Sequence, residues 1–371
     1  LTEAFAQVAV TLPLRRTFTY RIPGELVGNL PVGSAVSVPF GRRQERGYVV
    51  ELLAEPGREA PARIKEIAAV DIPGPLFPPD LLAVTRWIAG YYLCSWGEAL
   101  HACVPASGQV RAGGELPALE TDPVRTESAA ERVLTAAQEE VLAPLYRALE
   151  EKSFLAALLY GVTASGKTAV YEELVAAALQ QGRGGLVLVP EISITPQMIG
   201  LFRRRFGERV ALFHSRLTAR ERRIEWRRVL DGSADVVIGP RSAVLAPLSR
   251  PGVIIVDEEH ESSYKQSEPA PRYHARDTAV YRARECGAVC VLGSATPSAE
   301  SWHNARTGKY LLLSLPERIE SRPMPAVQLV DLTREHRGPG RWSRIVSRPL
   351  QEALSLRLER GEQTILFLNR R

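Results

Sequence analysis

Leu155-Ala156-Ala157-Leu158-Leu159-Tyr160, followed directly by Gly161-Val162-Thr163-Ala164-Ser165-Gly166-Lys167-Thr168, decides the fold. The first six residues are apolar on both faces, as a strand buried between two helix layers must be. The next eight fit G-x-x-x-x-G-K-[ST] at every fixed position and run into a helical segment near Ala169. In that strand–loop–helix setting the glycines let backbone N–H groups wrap a phosphate at the positive end of the helix. Lys167 then reaches the β- and γ-phosphate oxygens, and Thr168 offers a hydroxyl to Mg²⁺. Gly161, Thr163, Ser165, Gly166, Lys167 and Thr168 are the expected nucleotide-binding set.

Downstream, short apolar runs at Gly185–Val189, Val210–Phe213, Asp235–Ile238, Gly252–Val256 and Val289–Leu292 alternate with helical segments. That alternation predicts an α/β domain with a doubly wound, mostly parallel sheet. Ligands of such sheets sit at the carboxyl ends of the strands, where Asp257-Glu258-Glu259-His260 follows Val253-Ile254-Ile255-Val256. Asp257 is expected in the Mg²⁺ shell, Glu258 polarising the attacking water, and His260 in the same catalytic set. Ser294, Ala295 and Thr296, after another buried strand, are placed to sense the γ-phosphate and couple its state to the rest of the site. The loops Pro190–Gln197 and Gly239-Pro240-Arg241-Ser242-Ala243 fall on the same edge. Their backbone amides, hydroxyls and Arg241 suit tracking the phosphates of a single strand.

Upstream, Val8–Leu12, Phe18–Ile22, Ala35–Phe40 and Tyr48–Leu53 are separated by Pro and Gly turns, which predicts a small bent β-sheet or barrel. Leu81, Val84, Ile88 and Tyr91 then make the stripe of an amphipathic helix. The organisation expected is a β-rich domain over 1–105, a Gly/Pro-rich linker over 106–130, an α/β lobe over 131–320 and a connecting region over 321–371. The last region reads as a helix around Ile345 to Glu359 and a strand Thr364–Leu368.

Of the 371 residues, 47 are basic, 42 of them Arg, and residues 151–371 hold 33 basic against 24 acidic side chains. The preference for Arg suits a polyanionic partner, and it equally suits a bias of genome composition; both readings stand. The four cysteines make no C-x-x-C pair, so they read as small buried hydrophobes rather than zinc ligands or disulfides. No apolar run approaches the roughly 18 residues of a membrane span, and the first residues lack signal-peptide order. The cytoplasm is the expected compartment.

Together with Phe213-His214-Ser215, Ser262-Ser263-Tyr264-Lys265-Gln266, Arg272-Tyr273-His274-Ala275-Arg276-Asp277 and Phe367-Leu368-Asn369-Arg370-Arg371, these motifs stand in the order found in bacterial replication-restart helicases of the PriA family, which the chain resembles from about Leu134 onward. Leu12–Tyr20 and Val36–Gly41 resemble that family's 3′-DNA-binding domain. The resemblance implies a RecA-like helicase lobe that uses ATP and Mg²⁺ and moves 3′ to 5′ on DNA. It implies binding to stalled forks and single strands with a 3′ end, and initiation of primosome assembly. The partners implied are other primosome proteins, single-stranded DNA-binding protein and the replicative helicase, with the chain itself a monomer. By the same resemblance Phe18, Thr19, Gly41 and Lys65 line the 3′-end pocket, and Tyr264, Lys265, Arg272 and Tyr273 form an aromatic-rich loop on DNA. Thr135 and Gln138 would contact adenine, an amide being able to read its edge by paired hydrogen bonds.

The chain departs from that pattern in several places. Thr19 stands where the family commonly has Asp, and Ala164 where it commonly has Gly. Too few residues separate Pro105 from Leu134 for the family's winged-helix domain. The second helicase lobe, with its arginine finger, and the cysteines for two structural zinc ions would lie beyond Arg371. A fork-binding primosome scaffold without productive motor activity is the alternative reading, and a different superfamily 2 translocase a third.

Overall fold

The computed structural model describes residues 4–56, 63–72, 74–105, 133–191, 196–319, 326–334 and 346–368. The expected linker, and the stretch expected to be too short for a winged helix, both fall on 106–132, and most of the loop 190–197 on 192–197, outside the described residues or their described side chains. Contacts divide the chain into a unit of residues 1–321 and a second of residues 322–371.

The first unit opens with five antiparallel strands, β1 (Phe5–Val10), β2 (Phe18–Arg21), β3 (Ala35–Phe40), β4 (Arg43–Leu53) and β5 (Ala69–Ile72), in the spatial order β2-β1-β4-β3-β5. The sheet bends until its edge strand β2 meets residues 65–67 through an Arg21/Glu66 bridge, with Arg21 N donating to the Lys65 carbonyl at 2.9 Å. That is the barrel-like closure read from the turn spacing. Val8, Val36, Val38 and Val49 fill its interior, while Ala9, Ala35 and Tyr48 on the other face pack against α1 (Pro79–Tyr91) and α2 (Trp96–His101). β4 begins five residues before the expected Tyr48, because Arg43 to Arg46 pair with β3 along an exposed ladder that polar residues tolerate.

α2 lies so close to β1 that a Cβ on Gly97 would come within 1.8 Å of the Val10 carbonyl oxygen. Alanine is the better helix former by about 1 kcal/mol, but a clash with backbone has no side chain to move aside and outweighs it. Gly97→Ala is expected to lower stability by about 1–3 kcal/mol or more, read as a drop in the thermal midpoint; an unchanged midpoint would show that α2 can shift freely.

The lobe is a seven-stranded, all-parallel sheet in the order β12-β6-β11-β10-β7-β9-β8, built from β6 (Leu155–Gly161), β7 (Gly184–Leu188), β8 (Val210–Leu212), β9 (Val236–Gly239), β10 (Pro251–Asp257), β11 (Val289–Ser294) and β12 (Leu311–Leu315). Alternate residues of β10 face opposite layers. Val253 and Ile255 join the cluster under α3 (Ala136–Glu150) and α4 (Lys167–Gln180), while Ile254 and Val256 join the cluster under α7 (Ala275–Cys286). The remaining helices are α5 (Pro196–Phe206), α6 (Ala219–Leu230) and α8 (Ala299–Arg306). β6 and β7 are separated by β11 and β10, so the crevice above β6, β11 and β10 is where a ligand of a doubly wound sheet sits.

The helix pair α1–α2 is welded to this lobe. Arg282 of α7, with no exposed side-chain surface, pairs with Asp80 of α1 at 2.9 Å and donates to the carbonyls of Val244, Ala246 and Leu248. Trp87 stacks on Tyr281 at 4.4 Å between ring centroids, and the Trp226 indole N–H donates to the Cys103 carbonyl. One hydrophobic core therefore runs through residues on both sides of the expected boundary near 105. Cys94, Cys103 and Cys290 are buried and all four cysteines are free thiols, as expected of small core residues.

In the second unit the described helix is α9 (Arg348–Glu359), capped by Ser347 accepting from Leu350 N. Thr364–Leu368 is not a strand, contrary to the expectation: Ile365 is 96% and Phe367 90% exposed, and no neighbouring strand among the described residues takes up its backbone groups. An apolar run becomes a strand only where another strand accepts its ladder bonds.

Candidate functional site

The phosphate loop springs from β6 as expected. Gly166 takes φ +85° at the left-handed cap of α4, and Ala164, where glycine would be relaxed, is also left-handed at φ +63°. Lys167 is 9% exposed, and its ammonium donates to the Gly161 carbonyl at 2.9 Å, folded back over the loop it serves. Ser165 Oγ is buried in the same loop with no hydrogen-bond partner, a polar atom suited to a phosphate oxygen. Thr168 is half-buried at the start of α4, and the Thr163 hydroxyl accepts from Arg318 at 3.4 Å.

Thr135 and Gln138 lie beside that loop, but their groups are occupied. They form a capping box on α3, with Thr135 N donating to Gln138 Oε1 at 2.9 Å and Gln138 N to Thr135 Oγ1 at 3.3 Å. Gln138 Nε2 donates to the Gly166 carbonyl at 3.3 Å. The amide therefore braces the loop in this conformation, and pairing with adenine would require it to leave both partners.

The carboxylates arrive at the crevice at the end of β10. Asp257 pairs in register with Gly293, and Gly293 with Leu159. Asp257 is held by two phenols: Tyr171 donates to its Oδ1 at 2.9 Å and Tyr264 to its carbonyl oxygen at 2.6 Å. Burial pushes the Asp257 carboxyl above its ordinary value, opposed first by the Tyr171 hydrogen bond. Glu258 sits in the left-handed region at φ +45°, strain of the kind that functional loops store. No group of three His, Cys, Asp or Glu among the described residues could cage a metal. Mg²⁺ needs less, one or two carboxylates plus substrate phosphates, and Asp257, Thr168 and the partnerless Ser165 fit that requirement.

His260 lies between Glu258 and the loop after β11. Its Nδ1 lies 2.9 Å from Ser294 Oγ and 3.6 Å from Glu258 Oε2, and its Nε2 lies 3.4 Å from Thr296 Oγ1. The Ser294-Ala295-Thr296 loop is thus in contact with the carboxylate segment, as its expected role requires. Glu259, which the sequence reading passed over, is fully buried. It accepts from Ser298 N, Ser298 Oγ, Ser301 Oγ and Arg276 at 2.7–3.1 Å. The third acid of the run therefore joins three motifs: the strand end, the loop after β11 and the start of α7.

The aromatic-rich loop is where the structure corrects the expectation. Tyr264 is 0% and Tyr273 1% exposed, so neither ring presents a face on which a base could stack. Polar neighbours in the sequence suggested exposure, yet those neighbours form the outer surface while the rings point into the core. Lys265 donates to the Arg272 carbonyl and lies over the Tyr92 ring at 4.7 Å, and Arg272 is exposed near Glu268. Arg241 is spent on the same loop, donating to the carbonyls of Ser263 and Lys265 at 3.2 and 3.0 Å. Beside it, a cavity of about 300 Å³ is lined by Pro190, Phe213, His214, Arg222, Arg241 and Ser242. Arg241 Nε and His214 Nδ1 are buried there without partners, and burial, with Arg216 next, lowers the His214 pKa.

In the N-terminal region Phe18, Gly41 and Lys65 stand around one corner, while Thr19 faces elsewhere. Phe18 meets Phe40 edge-on at 5.2 Å, Gly41 turns at φ +60°, and Lys65 donates to the Gly41 carbonyl at 3.1 Å. Thr19 faces across β1, accepting from Gln7 Nε2 at 2.9 Å. A cavity of about 1010 Å³ opens on the Thr19 side, with Arg15, Arg16, Arg86 and Trp96 in its wall.

Residues 7–105 match the family model of the PriA 3′ DNA-binding domain (3′BD), and residues 135–304 that of the DEAD/DEAH box helicases. The replication restart protein PriA of Treponema pallidum is 37% identical over 98% of this chain and 54% of its own length. The chain belongs to the PriA family. PriA of Chlamydia muridarum is 30% identical over 99% of the chain and 58% of its own length, and PriA of Bacillus subtilis 46% identical over 64% and 29%. The chain thus spans little more than half the length of the PriA relatives it matches from end to end. The two matched regions coincide with the bent antiparallel sheet and its helix pair, and with most of the parallel lobe that carries the phosphate loop.

Proposed function

We propose that this chain is part of an ATP-driven 3′-to-5′ DNA helicase that binds abandoned replication forks and starts reassembly of the replication machinery. The observation that carries the reading is the union, within one packed unit, of a phosphate loop facing Asp257 and a corner of Phe18, Gly41 and Lys65 suited to a strand end. Lys167 binds the β- and γ-phosphates, Thr168 and Asp257 hold Mg²⁺, and Glu258 orients water. Ser294, Thr296 and His260 pass the state of the γ-phosphate to the DNA side. The partners are forked and single-stranded DNA with a free 3′ end, then the proteins that reload the replicative helicase. Residues 1–371 alone turn ATP over slowly, because an arginine finger from a second lobe is worth about 10³–10⁵ in rate.

The test uses the complete protein with forked DNA whose leading-strand 3′ end is free or blocked, reading binding and ATP turnover together. Tighter binding and stimulated turnover with the free end are expected. Binding without stimulation would establish the scaffold instead. Lys65→Ala is expected to weaken binding to the free end several-fold and reduce the dependence on salt by about one ion, the signature of one lost phosphate contact. Equal binding of both forks by the parent protein would remove the 3′-end reading altogether.

A further inference from the structure

Tyr171 stands on α4 one helical turn beyond Lys167, and residues spaced i and i+4 share a face, so the lysine and the phenol point into one crevice. Its ring is 1% exposed, and its hydroxyl donates to Asp257 Oδ1 at 2.9 Å. Gly293 of β11 makes room for that hydroxyl: a Cβ there would fall 1.7 Å from Tyr171 Oη and 3.4 Å from Asp257 Oδ1. Tyr264 meanwhile anchors the Asp257 carbonyl from the other side. Asp257 is therefore held at both backbone and carboxylate, and at the carboxylate the Tyr171 phenol is the side-chain donor, beside the backbone N–H of Glu258.

We propose that Tyr171 is a positioning residue for the metal: its phenol holds the Asp257 carboxylate in the orientation that meets Mg²⁺ at the phosphate loop, and Gly293 is bare because the phenol occupies its side-chain space. The inference rests on reading Asp257 and the loop as an ATP·Mg²⁺ site. A carboxylate free to rotate can still bind a cation, but it must first be ordered. Groups that orient a metal's ligand are worth on the order of tenfold to a hundredfold in metal affinity.

The experiment measures binding of a fluorescent ADP to the complete protein, first in EDTA and then across a Mg²⁺ titration, for the parent, Tyr171→Phe, Gly293→Ala and Asp257→Ala. Tyr171→Phe keeps the ring and its packing and removes only the donor. Its thermal midpoint and its affinity in EDTA are expected to match the parent, with the half-saturating Mg²⁺ concentration raised about tenfold or more. Gly293→Ala, which must displace the hydroxyl, is expected to move the Mg²⁺ requirement the same way. An unchanged Mg²⁺ requirement in Tyr171→Phe would overturn the proposal. So would an equal loss in EDTA and in Mg²⁺, because the ring would then be supporting the loop rather than the carboxylate. Asp257→Ala separates the underlying reading: if it retains the parent's Mg²⁺ dependence, Asp257 is not a metal ligand and the site assignment itself fails.

Discussion

Lys167→Ala is expected to cut DNA-stimulated ATP turnover of the complete protein by about 10²–10³-fold, the usual cost of removing one charge-stabilising donor from a transition state. The ammonium is already confined within the phosphate loop, 9% exposed and bonded to the Gly161 carbonyl, so it needs no long search to reach a phosphate. Its removal frees the Gly161 carbonyl but leaves the loop's own backbone bonds, Ser165 N to the Val162 carbonyl and Ala169 N to the Gly166 carbonyl, in place. Folding should therefore be preserved, and fork binding in the absence of nucleotide should stay within about twofold of the parent. Turnover and binding are measured on the same preparation. If turnover survives at a tenth of the parent rate or better, the loop is not the catalytic site. If fork binding falls in step with turnover, the lysine serves the fold and the rate loss says nothing about phosphate.

The parallel sheet was legible because buried strands leave a compositional trace. Six lobe strands stand within two residues of their expected positions, each a short apolar run between turn residues. β12 was not legible. Leu311–Leu315 sits at the sheet edge with alternate residues exposed, and it follows a region whose periodicity is blurred by the short helix α8. The chemical motifs were legible at the level of backbone and charge: phosphate loop, strand-end acids and hydroxyl loop all meet in one crevice. The direction of individual side chains was not. Tyr264 and Tyr273 lie in polar surroundings along the chain, and only the fold reveals that the space beneath the loop is apolar and large enough for two rings. Tyr171 was hidden for the converse reason, since an aromatic on a helix among Val170, Leu174 and Val175 reads as core. One signal did exist: it stands four residues after Lys167, on the face that must turn towards the nucleotide.

Arg282→Met should cost about 3–5 kcal/mol of stability, the largest structural effect of any single side chain discussed above, because it breaks a buried ion pair and leaves the Asp80 carboxylate without its cation. Arg282 has 0% and Asp80 11% of its side chain exposed, so water cannot replace the lost contact without opening the junction between α1 and α7. The carbonyl oxygens of Val244, Ala246 and Leu248 lose the guanidinium at the same time; Ala246 keeps the Leu248 N–H, while a buried acceptor left unsatisfied adds its own penalty. Methionine preserves the apolar length of the side chain, so the loss reports polar pairing rather than a cavity. Urea unfolding measures it directly. Asp80→Asn alone should cost less, and the double variant should cost less than the sum of the two, since removing Asp80 also removes the stranded carboxylate. Strict additivity would show that the pair is not energetically coupled. The Trp87/Tyr281 stack and the Trp226 bond to Cys103 still tie α1–α2 to the lobe in the variant. The expected form is therefore a folded protein with a loosened junction between its DNA-end corner and its ATP lobe. In that form nucleotide binding persists, while stimulation of turnover by a free 3′ end declines, because the strand end is no longer held at a fixed position relative to the phosphate loop.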